Sequence, residues 1–199
     1  MASDDDLVIG ADGRTRCWWC GDDPDYVRYH DEDWGTPIHD DRALLELLCL
    51  EGFQAGLSWI TILRKRPAFR AAFADFDPET VAAYGDDDVE RLLRDDGIVR
   101  HRGKIEATVG NARALLELHD GGRTLDDVVW KAGAHAKGRE RPAARSEVPP
   151  MTPEAAGLSK DLKKLGFRFV GPTTVYAFLQ SAGVVDDHLH GCWRAPDRD

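Results

Sequence analysis

The chain has 199 residues, of which 42% are hydrophobic and 31% are charged, and its formal net charge is −10. This length suffices for one medium domain, or two small helical lobes, with a substantial core. The composition is that of an ordinary soluble protein, without the run of about 18 apolar residues that a membrane span needs. The acidic balance argues against a protein coated with basic surface for non-specific nucleic-acid binding.

The N-terminal segment is acidic and polar. Residues 1–6 contain neither the basic region nor the apolar region of a secretory signal, so we expect a cytoplasmic protein. Residues 1–15 are rich in Asp and Gly and predict a disordered leader. The folded part is then a single domain over residues 16–199.

Basic residues cluster in three places, at 64–66, 100–104 and 160–168. Two interpretations stay open at this point. The clusters either converge on one phosphate-binding face or mark three separate solvated helix ends.

The first predicted helix follows Asp40 and Asp41, either of which is a suitable N-cap. Leucines then recur at helical spacing, namely Leu44, Leu45, Leu47 and Leu48. Gly52 predicts an interruption near the end of this helix. A second helix is predicted over 57–66, ending at Pro67.

Further helices follow in the same manner, with strand-like alternation nearly absent. Asp77 and Asp86 begin short helices, and an amphipathic pattern runs over 104–118. Residues 133–150 lack periodicity and predict an exposed loop. Two more helices are predicted over 152–164 and 175–182. The sequence therefore predicts an all-α domain of roughly eight helices.

Four cysteines in a chain expected to be cytoplasmic favour a metal site over disulfides. His188 and Cys192 are four positions apart, which is about one helical turn. Cys17 or Cys20, together with His30, would complete four ligands. Spacing alone leaves open the alternative that these are buried or surface residues without a metal.

Several segments, in order and at nearly constant spacing from about residue 16 to residue 193, resemble the 3-methyladenine DNA glycosylase I family. They are Arg16-Cys17-Trp18-Trp19, the stretch from Tyr26 to Gly35, the stretch from Cys49 to Thr61, the stretch from Gly97 to Ile105, the stretch from Gly166 to Gly171, Asp187-His188 and Gly191-Cys192. The resemblance implies a helix-hairpin-helix glycosylase fold with two lobes and a base pocket between them. A monomer is the default expectation for such a chain.

The resemblance further implies one structural zinc per chain, held by Cys17, His30, His188 and Cys192. Cys20 is then not a ligand, and His190 is the alternative to a named histidine. A closed four-ligand shell ties the two ends of the domain together and leaves no position for an activated water.

An enzyme that acts on a base must extrude it from the stack and hold it between flat side chains. The aromatic candidates are Trp19, Tyr26, Tyr29 and Trp59, for which core packing is the alternative. Glu51 is the catalytic candidate, for which an exposed helix end is the alternative. The resemblance implies that Glu51 and Tyr29 hydrogen-bond the methylated adenine, Trp59 stacks on it and Trp19 closes the pocket.

Two segments are candidates for contact with DNA. Gly56 and Leu57 resemble the segment that fills the gap left by a flipped nucleotide, although a simple turn is the alternative. Residues 162–183 resemble a helix-hairpin-helix, whose backbone amides and helix N-terminus attract phosphate. Its candidate DNA-binding residues are Gly166, Arg168, Gly171 and Thr173.

The second helix of this element differs from that of many relatives, which carry a lysine near its start that attacks the sugar. Here Pro172-Thr173-Thr174 occupies that position, so no strand-cleaving lyase activity is expected. Asp186 or Asp187 stands near the position of a catalytic acid in other relatives. We favour a supporting role for them, as a turn cap or beside a zinc histidine.

The sequence thus predicts hydrolysis of the N-glycosidic bond of 3-methyladenine in alkylated double-stranded DNA, leaving an abasic site. A related prediction keeps the fold and changes the base to 3-methylguanine or another alkylated purine. The alternative of a different class is a zinc-stabilised helical module that recognises damaged DNA without catalysis.

Overall fold

The structure is a computed structural model that describes residues 6–133 and 140–195. Within these residues it is predominantly helical. The nine α-helices are α1 Pro24–Arg28, α2 Asp41–Gln54, α3 Trp59–Ala72, α4 Pro78–Ala82, α5 Asp86–Leu93, α6 Arg102–Asp120, α7 Leu125–Gly133, α8 Pro153–Lys164 and α9 Pro172–Ser181. Short helical turns lie at Trp18–Cys20, Ala74–Phe76 and Arg145–Glu147, and a π-helical turn at Tyr29–Asp33.

Side-chain caps begin three of the predicted helices where the sequence indicates. Asp40 accepts a hydrogen bond from the Ala43 amide at 2.8 Å and begins α2. Asp77 begins α4 and Thr152 begins α8 in the same way. Each cap satisfies an amide that has no partner within its helix.

Helix α2 is the central element of the core. Every residue from Leu44 to Phe53 is buried, so the helix is enclosed on all sides. It packs against α3, α6, α7 and α9. Glu51, near its C-terminal end, is consequently carried into the interior.

The predicted disordered leader is wrong over residues 7–15. Strand β1, Leu7–Ile9, pairs antiparallel with strand β2, Thr15–Cys17. Leu-Val-Ile is a strong strand-forming triplet, and Gly13 at φ 76° permits the turn. The folded domain therefore begins before residue 16; residues 1–5 lie outside the described residues.

The prediction that a helix ends at Pro67 is also wrong, because α3 continues to Ala72. Proline removes one backbone donor, and a cost of about 3 kcal/mol is typical inside a helix. Phe69 and Ala72, which follow it, are buried in the core. Their burial offsets that cost.

A loop was predicted over residues 133–150, of which residues 134–139 lie outside the described residues. Residues 140–150 carry one short helical turn, Arg145–Glu147. Within the two described ranges, we find no helix both long and apolar enough to cross a bilayer.

Candidate functional site

Four potential metal ligands converge in the interior. Cys17 ends β2, His30 lies in the π-helical turn, and His188 and Cys192 follow α9. All four are buried, and their ligand atoms lie within 4.8 Å of one another. The structure thereby brings together the two ends of the described chain.

The distances between these atoms match a tetrahedral zinc shell. Zinc–sulfur bonds of about 2.3 Å and zinc–nitrogen bonds of about 2.0–2.1 Å place neighbouring ligand atoms roughly 3.3–3.8 Å apart. His188 Nδ1 lies 3.8 Å from Cys17 Sγ and 3.6 Å from Cys192 Sγ. Cys192 Sγ lies 3.4 Å from His30 Nε2. The donor set and its spacing therefore fit zinc.

The other nitrogen of each histidine has a partner that fixes the ring. His30 Nδ1 lies 2.8 Å from Asp31 Oδ1, and His188 Nε2 lies 3.2 Å from the carbonyl oxygen of Trp34. Burial raises the pKa of Asp31, but hydrogen bonds from Arg16, His30 and Trp193 lower it to about 2. The Asp31 carboxylate thus fixes the orientation of the His30 ring.

Two neighbouring residues lie outside this cluster. Cys20 Sγ donates to the carbonyl oxygen of Cys17 at 3.2 Å. His190 is exposed, and its amide donates to the carbonyl oxygen of Pro142. The geometry therefore favours His188 over His190 and Cys17 over Cys20.

A cavity of about 220 Å³ lies beside the cluster of potential ligands. It contains all five residues that the sequence analysis assigned to a base pocket. Its lining includes Trp19, Tyr26, Tyr29, Glu51, Trp59 and Ser181.

Glu51 is buried in this cavity, with 3% of its surface exposed. The alternative of an exposed helix end is therefore wrong. Its Oε1 accepts a hydrogen bond from Ser181 Oγ at 3.0 Å, while Oε2 has no partner among the described residues. Burial raises the pKa of Glu51 to about 8, against the lowering effect of the Ser181 hydrogen bond.

The aromatic side chains of the cavity pack on one another. The Tyr29 and Trp59 ring centroids are 5.5 Å apart, and those of Trp19 and Tyr26 are 5.1 Å apart. Trp59 Nε1 is buried without a partner in the described part of the chain. The rings thus pack against the core and also line the cavity wall.

The loop between α2 and α3 carries an exposed leucine next to the cavity. Gly56 has φ 87°, a conformation that glycine adopts readily. Leu57 is 43% exposed, and the loop leads directly to Trp59. The loop is therefore a turn that presents Leu57 to solvent.

The connection between α8 and α9 is a tight hairpin. Gly166 has φ 91°, Gly171 precedes α9, and Arg168 and Thr173 are exposed. The Arg168 amide donates to Asn111 Oδ1 at 2.7 Å, which ties the hairpin to α6. The hairpin backbone is held while its candidate DNA-binding side chains face solvent.

Several of the basic residues in the three sequence clusters pair with acids. Arg66 contacts Glu46 at 2.6 Å, and Arg102 pairs with Glu90. Arg168 has no acidic partner in the described part of the chain. Four of the ten Lys and Arg residues in these clusters pair with acids, namely Arg64, Arg66, Arg102 and Lys164, and these four offer less free positive charge to phosphate.

Comparison with known proteins gives a consistent picture. The family model of methyladenine glycosylase matches residues 19–195. The chain belongs to this family. It is 51% identical over 177 residues to DNA-3-methyladenine glycosylase 1 of Escherichia coli (strain K12), covering 89% of this chain and 95% of that protein. It is 47% identical over 179 residues to DNA-3-methyladenine glycosylase of Haemophilus influenzae (strain ATCC 51907 / DSM 11121 / KW20 / Rd), covering 89% and 96%.

Solved structures of family members share the fold. A crystal structure of 3-methyladenine DNA glycosylase I superimposes with a TM-score of 0.87 at 49% identity, covering 89% of this chain and 98% of the other. A structure of 3-methyladenine DNA glycosylase I from Staphylococcus aureus, described as showing the structural basis of 3-methyladenine recognition, gives 0.83 at 40% identity, covering 89% and 94%. The helical architecture of this methyladenine glycosylase family member is thus that of its relatives.

The sequence analysis missed one polar residue of the cavity, Ser181, and considered another, Asp187, only in a supporting role. Ser181, in the last turn of α9, contacts both Tyr29 and Glu51. Asp187 is buried and accepts hydrogen bonds from Tyr176 and from Gln180 at 2.8 Å. No motif marks Ser181, because a single serine at a helix end has no distinctive spacing.

Asp186 contacts the segment that carries a predicted zinc ligand. It accepts a hydrogen bond from the His188 amide at 3.3 Å and pairs with Arg141. These contacts agree with the supporting role that the sequence analysis favoured.

Proposed function

We propose that this chain is a monofunctional DNA repair glycosylase that hydrolyses the N-glycosidic bond of 3-methyladenine in alkylated duplex DNA and leaves an abasic site. The observation that carries the proposal is the Glu51 carboxyl, buried among aromatic rings with one oxygen lacking a partner in the described structure. A buried polar atom without a partner is costly, and a bound ligand that hydrogen-bonds it removes that cost. The names of the relatives support 3-methyladenine as that ligand.

The cavity suits a base that has left the DNA stack. Base flipping places the target against flat side chains, here stacked on Trp59, while polar groups such as Tyr29 and Glu51 read its edge. Trp19 and Tyr26 also line the cavity. The wall is therefore mainly aromatic with a few placed polar groups, as binding pockets commonly are.

The carboxylate suits the charge of the substrate. Alkylation at N3 makes the base cationic and a good leaving group, so the enzyme gains most by binding the charged base preferentially. Ionised Glu51 in a poorly solvated site attracts this cation more strongly than it attracts neutral adenine. Discrimination then rests on charge, and Glu51 acts through contact with the base.

We further propose that the product is an abasic site without strand cleavage. Helix α9 begins with Pro172, Thr173 and Thr174, so no primary amine stands at its start to attack the sugar. A Schiff-base lyase step needs such an amine.

The cluster of Cys17, His30, His188 and Cys192 is proposed to hold one structural zinc. Four protein ligands fill a tetrahedral shell and leave no position for a reacting water, which excludes a zinc hydrolase at this site. The cluster joins β2 and the π-helical turn to the segment after α9. Trp19 and Tyr29 immediately flank ligands of this cluster, so the metal would also hold the cavity wall in place.

The α8–α9 hairpin and the loop at Leu57 are proposed to hold the DNA. Backbone amides at the N-terminus of α9, together with the Arg168 side chain, attract phosphate oxygens. Leu57 would occupy the space that the flipped nucleotide leaves. This arrangement is the proposed helix-hairpin-helix element over residues 162–183.

The test measures free bases released from dimethyl-sulfate-treated duplex DNA by the wild-type protein and by Glu51→Gln. We expect chromatography to identify 3-methyladenine from the wild type and at least tenfold less from the variant. Strand breaks should appear only after alkaline treatment of the product. A folded, zinc-loaded protein that binds the damaged DNA without releasing any base would instead be a recognition module.

A further inference from the structure

A chain of hydrogen bonds joins three elements at the cavity. Tyr29 Oη in the π-helical turn donates to Ser181 Oγ at 3.0 Å, and Ser181 Oγ donates to Glu51 Oε1 at 3.0 Å. Ser181 ends α9 and is 5% exposed, and Glu51 lies in the last turn of α2. One hydroxyl group therefore connects the two polar residues proposed to contact the base.

The direction of these hydrogen bonds follows from the number of protons. When the cationic base is bound, its charge keeps Glu51 ionised, and an ionised carboxylate only accepts, so Ser181 must donate its single proton to Glu51. Tyr29 must then donate its own proton to Ser181. Both protons are engaged within the protein, and what remains for a ligand is a lone pair on Tyr29 Oη and the oxygen Oε2 of Glu51.

We propose that Ser181 is a specificity-determining residue: it holds Tyr29 and Glu51 as two hydrogen-bond acceptors, so that the cavity selects purines with a 6-amino group over purines with a 6-oxo group. This inference rests on the proposed function. Ser181 hydrogen-bonds Tyr29 and Glu51, the two residues proposed to contact the base. It would thus influence the choice between alkylated adenine and alkylated guanine through these two residues.

The selection follows from elementary hydrogen bonding. A 6-amino group offers two N–H donors to the two acceptors, whereas a 6-oxo group places a third acceptor against them. A buried acceptor that faces another acceptor loses its hydrogen bond and its solvation together. Sites built in this way discriminate strongly against the analogue with the wrong polar group.

Without the Ser181 hydroxyl, the Tyr29 hydroxyl can rotate. Its proton then becomes available to a 6-oxo group, and the penalty against guanine-type bases falls. The positive charge of the alkylated base keeps Glu51 ionised when the base is bound, so the contribution of Glu51 changes less.

The experiment measures both bases released from one sample of dimethyl-sulfate-treated duplex DNA. The variants are Ser181→Ala, Ser181→Thr and the control Ser159→Ala. Ser159 is also a buried serine, 1% exposed, whose Oγ donates to the carbonyl oxygen of Val170 at 2.6 Å outside the cavity. The control therefore removes a matched buried hydroxyl without changing the Tyr29–Ser181–Glu51 chain.

We expect Ser181→Ala to lower the ratio of released 3-methyladenine to released 3-methylguanine about tenfold, the effect of one lost hydrogen-bond preference. Ser159→Ala leaves Ser181 in place, and Ser181→Thr keeps a hydroxyl group at that position. Both variants should keep the wild-type ratio of released 3-methyladenine to released 3-methylguanine. An unchanged ratio in Ser181→Ala, or an equal loss of both bases, overturns the inference.

A second measurement separates this inference from the proposed function. Quenching of tryptophan fluorescence by free 3-methyladenine and free 3-methylguanine reports binding in a cavity lined by Trp19 and Trp59, without any bond cleavage. It is measured above pH 8, because the free bases are neutral and the pKa of Glu51 is raised to about 8. If the wild type releases no base, the proposed function fails. A lower binding preference in Ser181→Ala would still support the inference, and an unchanged preference would overturn it.

Discussion

Cys17 and His188 are 171 positions apart in sequence, and Cys17 Sγ lies 3.8 Å from His188 Nδ1 in the interior. This contact closes the described chain on itself, because β2 and the segment after α9 meet there. A metal held at this point couples ion binding to the folding of both segments. The cavity lies beside the same junction. We therefore expect that loss of the metal also disrupts the cavity.

The first prediction concerns the metal. Purified protein should contain one zinc ion per chain by atomic emission, and Cys17→Ser or Cys192→Ser should reduce that content below one half. Loss of a structural zinc also lowers the thermal unfolding temperature, because the binding free energy is part of the folding free energy. The matched control is Cys20→Ser, which should keep its zinc; full zinc content in Cys17→Ser would disprove the assigned ligand set.

The second prediction uses the burial of Glu51, which raises its pKa from 4.5 to about 8. The folded protein thus binds this proton more tightly than the unfolded chain does, so the contribution to stability falls as pH rises from 4.5 and is fully lost above 8. Glu51→Gln carries no such charge. Its stability relative to wild type should increase between pH 5 and pH 8.5, by on the order of a few kcal/mol.

Thermal or urea unfolding of the two proteins across this pH range measures the effect. Effects of pH on the metal cluster cancel in the difference, because both proteins contain the cluster. A stability difference that does not change with pH would show that Glu51 is ionised at all these pH values in the folded state.

The third prediction concerns Leu57. Leu57→Ala should lower base release from duplex DNA about tenfold, because the gap in the stack is then unfilled and unstacking costs a few kcal/mol. Release from single-stranded DNA should change much less. The unfolding temperature should stay within experimental error, since Leu57 is 43% exposed. Met151→Ala, at a residue 47% exposed, is the control that should leave both activities intact.

The fourth prediction concerns Arg168. Arg168→Ala should weaken binding to duplex DNA of any sequence and reduce the slope of log affinity against log salt concentration by about 1. Lys131→Ala removes the same charge from an exposed position on α7 and should leave the slope unchanged. Equal slopes for all three proteins would remove Arg168 from the proposed DNA contact.

Local signals in the sequence determined much of the secondary structure. Asp40, Asp77 and Thr152 begin helices because a cap needs only a side-chain oxygen and an amide two or three residues away. Pro67 is an exception to such local rules. The local rule predicts a helix end, but burial of Phe69 by distant elements outweighs it.

Some features of the candidate site could also be predicted from the sequence, and others could not. Spacing left alternatives open, and the resemblance to the family selected four potential metal ligands and five residues that the structure places around one cavity; their roles stay predictions. The β1–β2 hairpin, the ion pairs of several basic residues and the position of Ser181 between Tyr29 and Glu51 were not predictable. Ser181 meets Glu51 130 positions away and Tyr29 152 positions away.

The sequence by itself determined where helices begin, and its resemblance to the family indicated candidate residues for binding zinc and a cationic base. Only the tertiary structure decided which of those side chains are buried, which oxygen of Glu51 has a partner and which hydroxyl lies between Tyr29 and Glu51. The physical reason is range: a cap or a helical repeat acts over a few residues, whereas burial and hydrogen-bond direction depend on elements that meet only when the whole chain has packed.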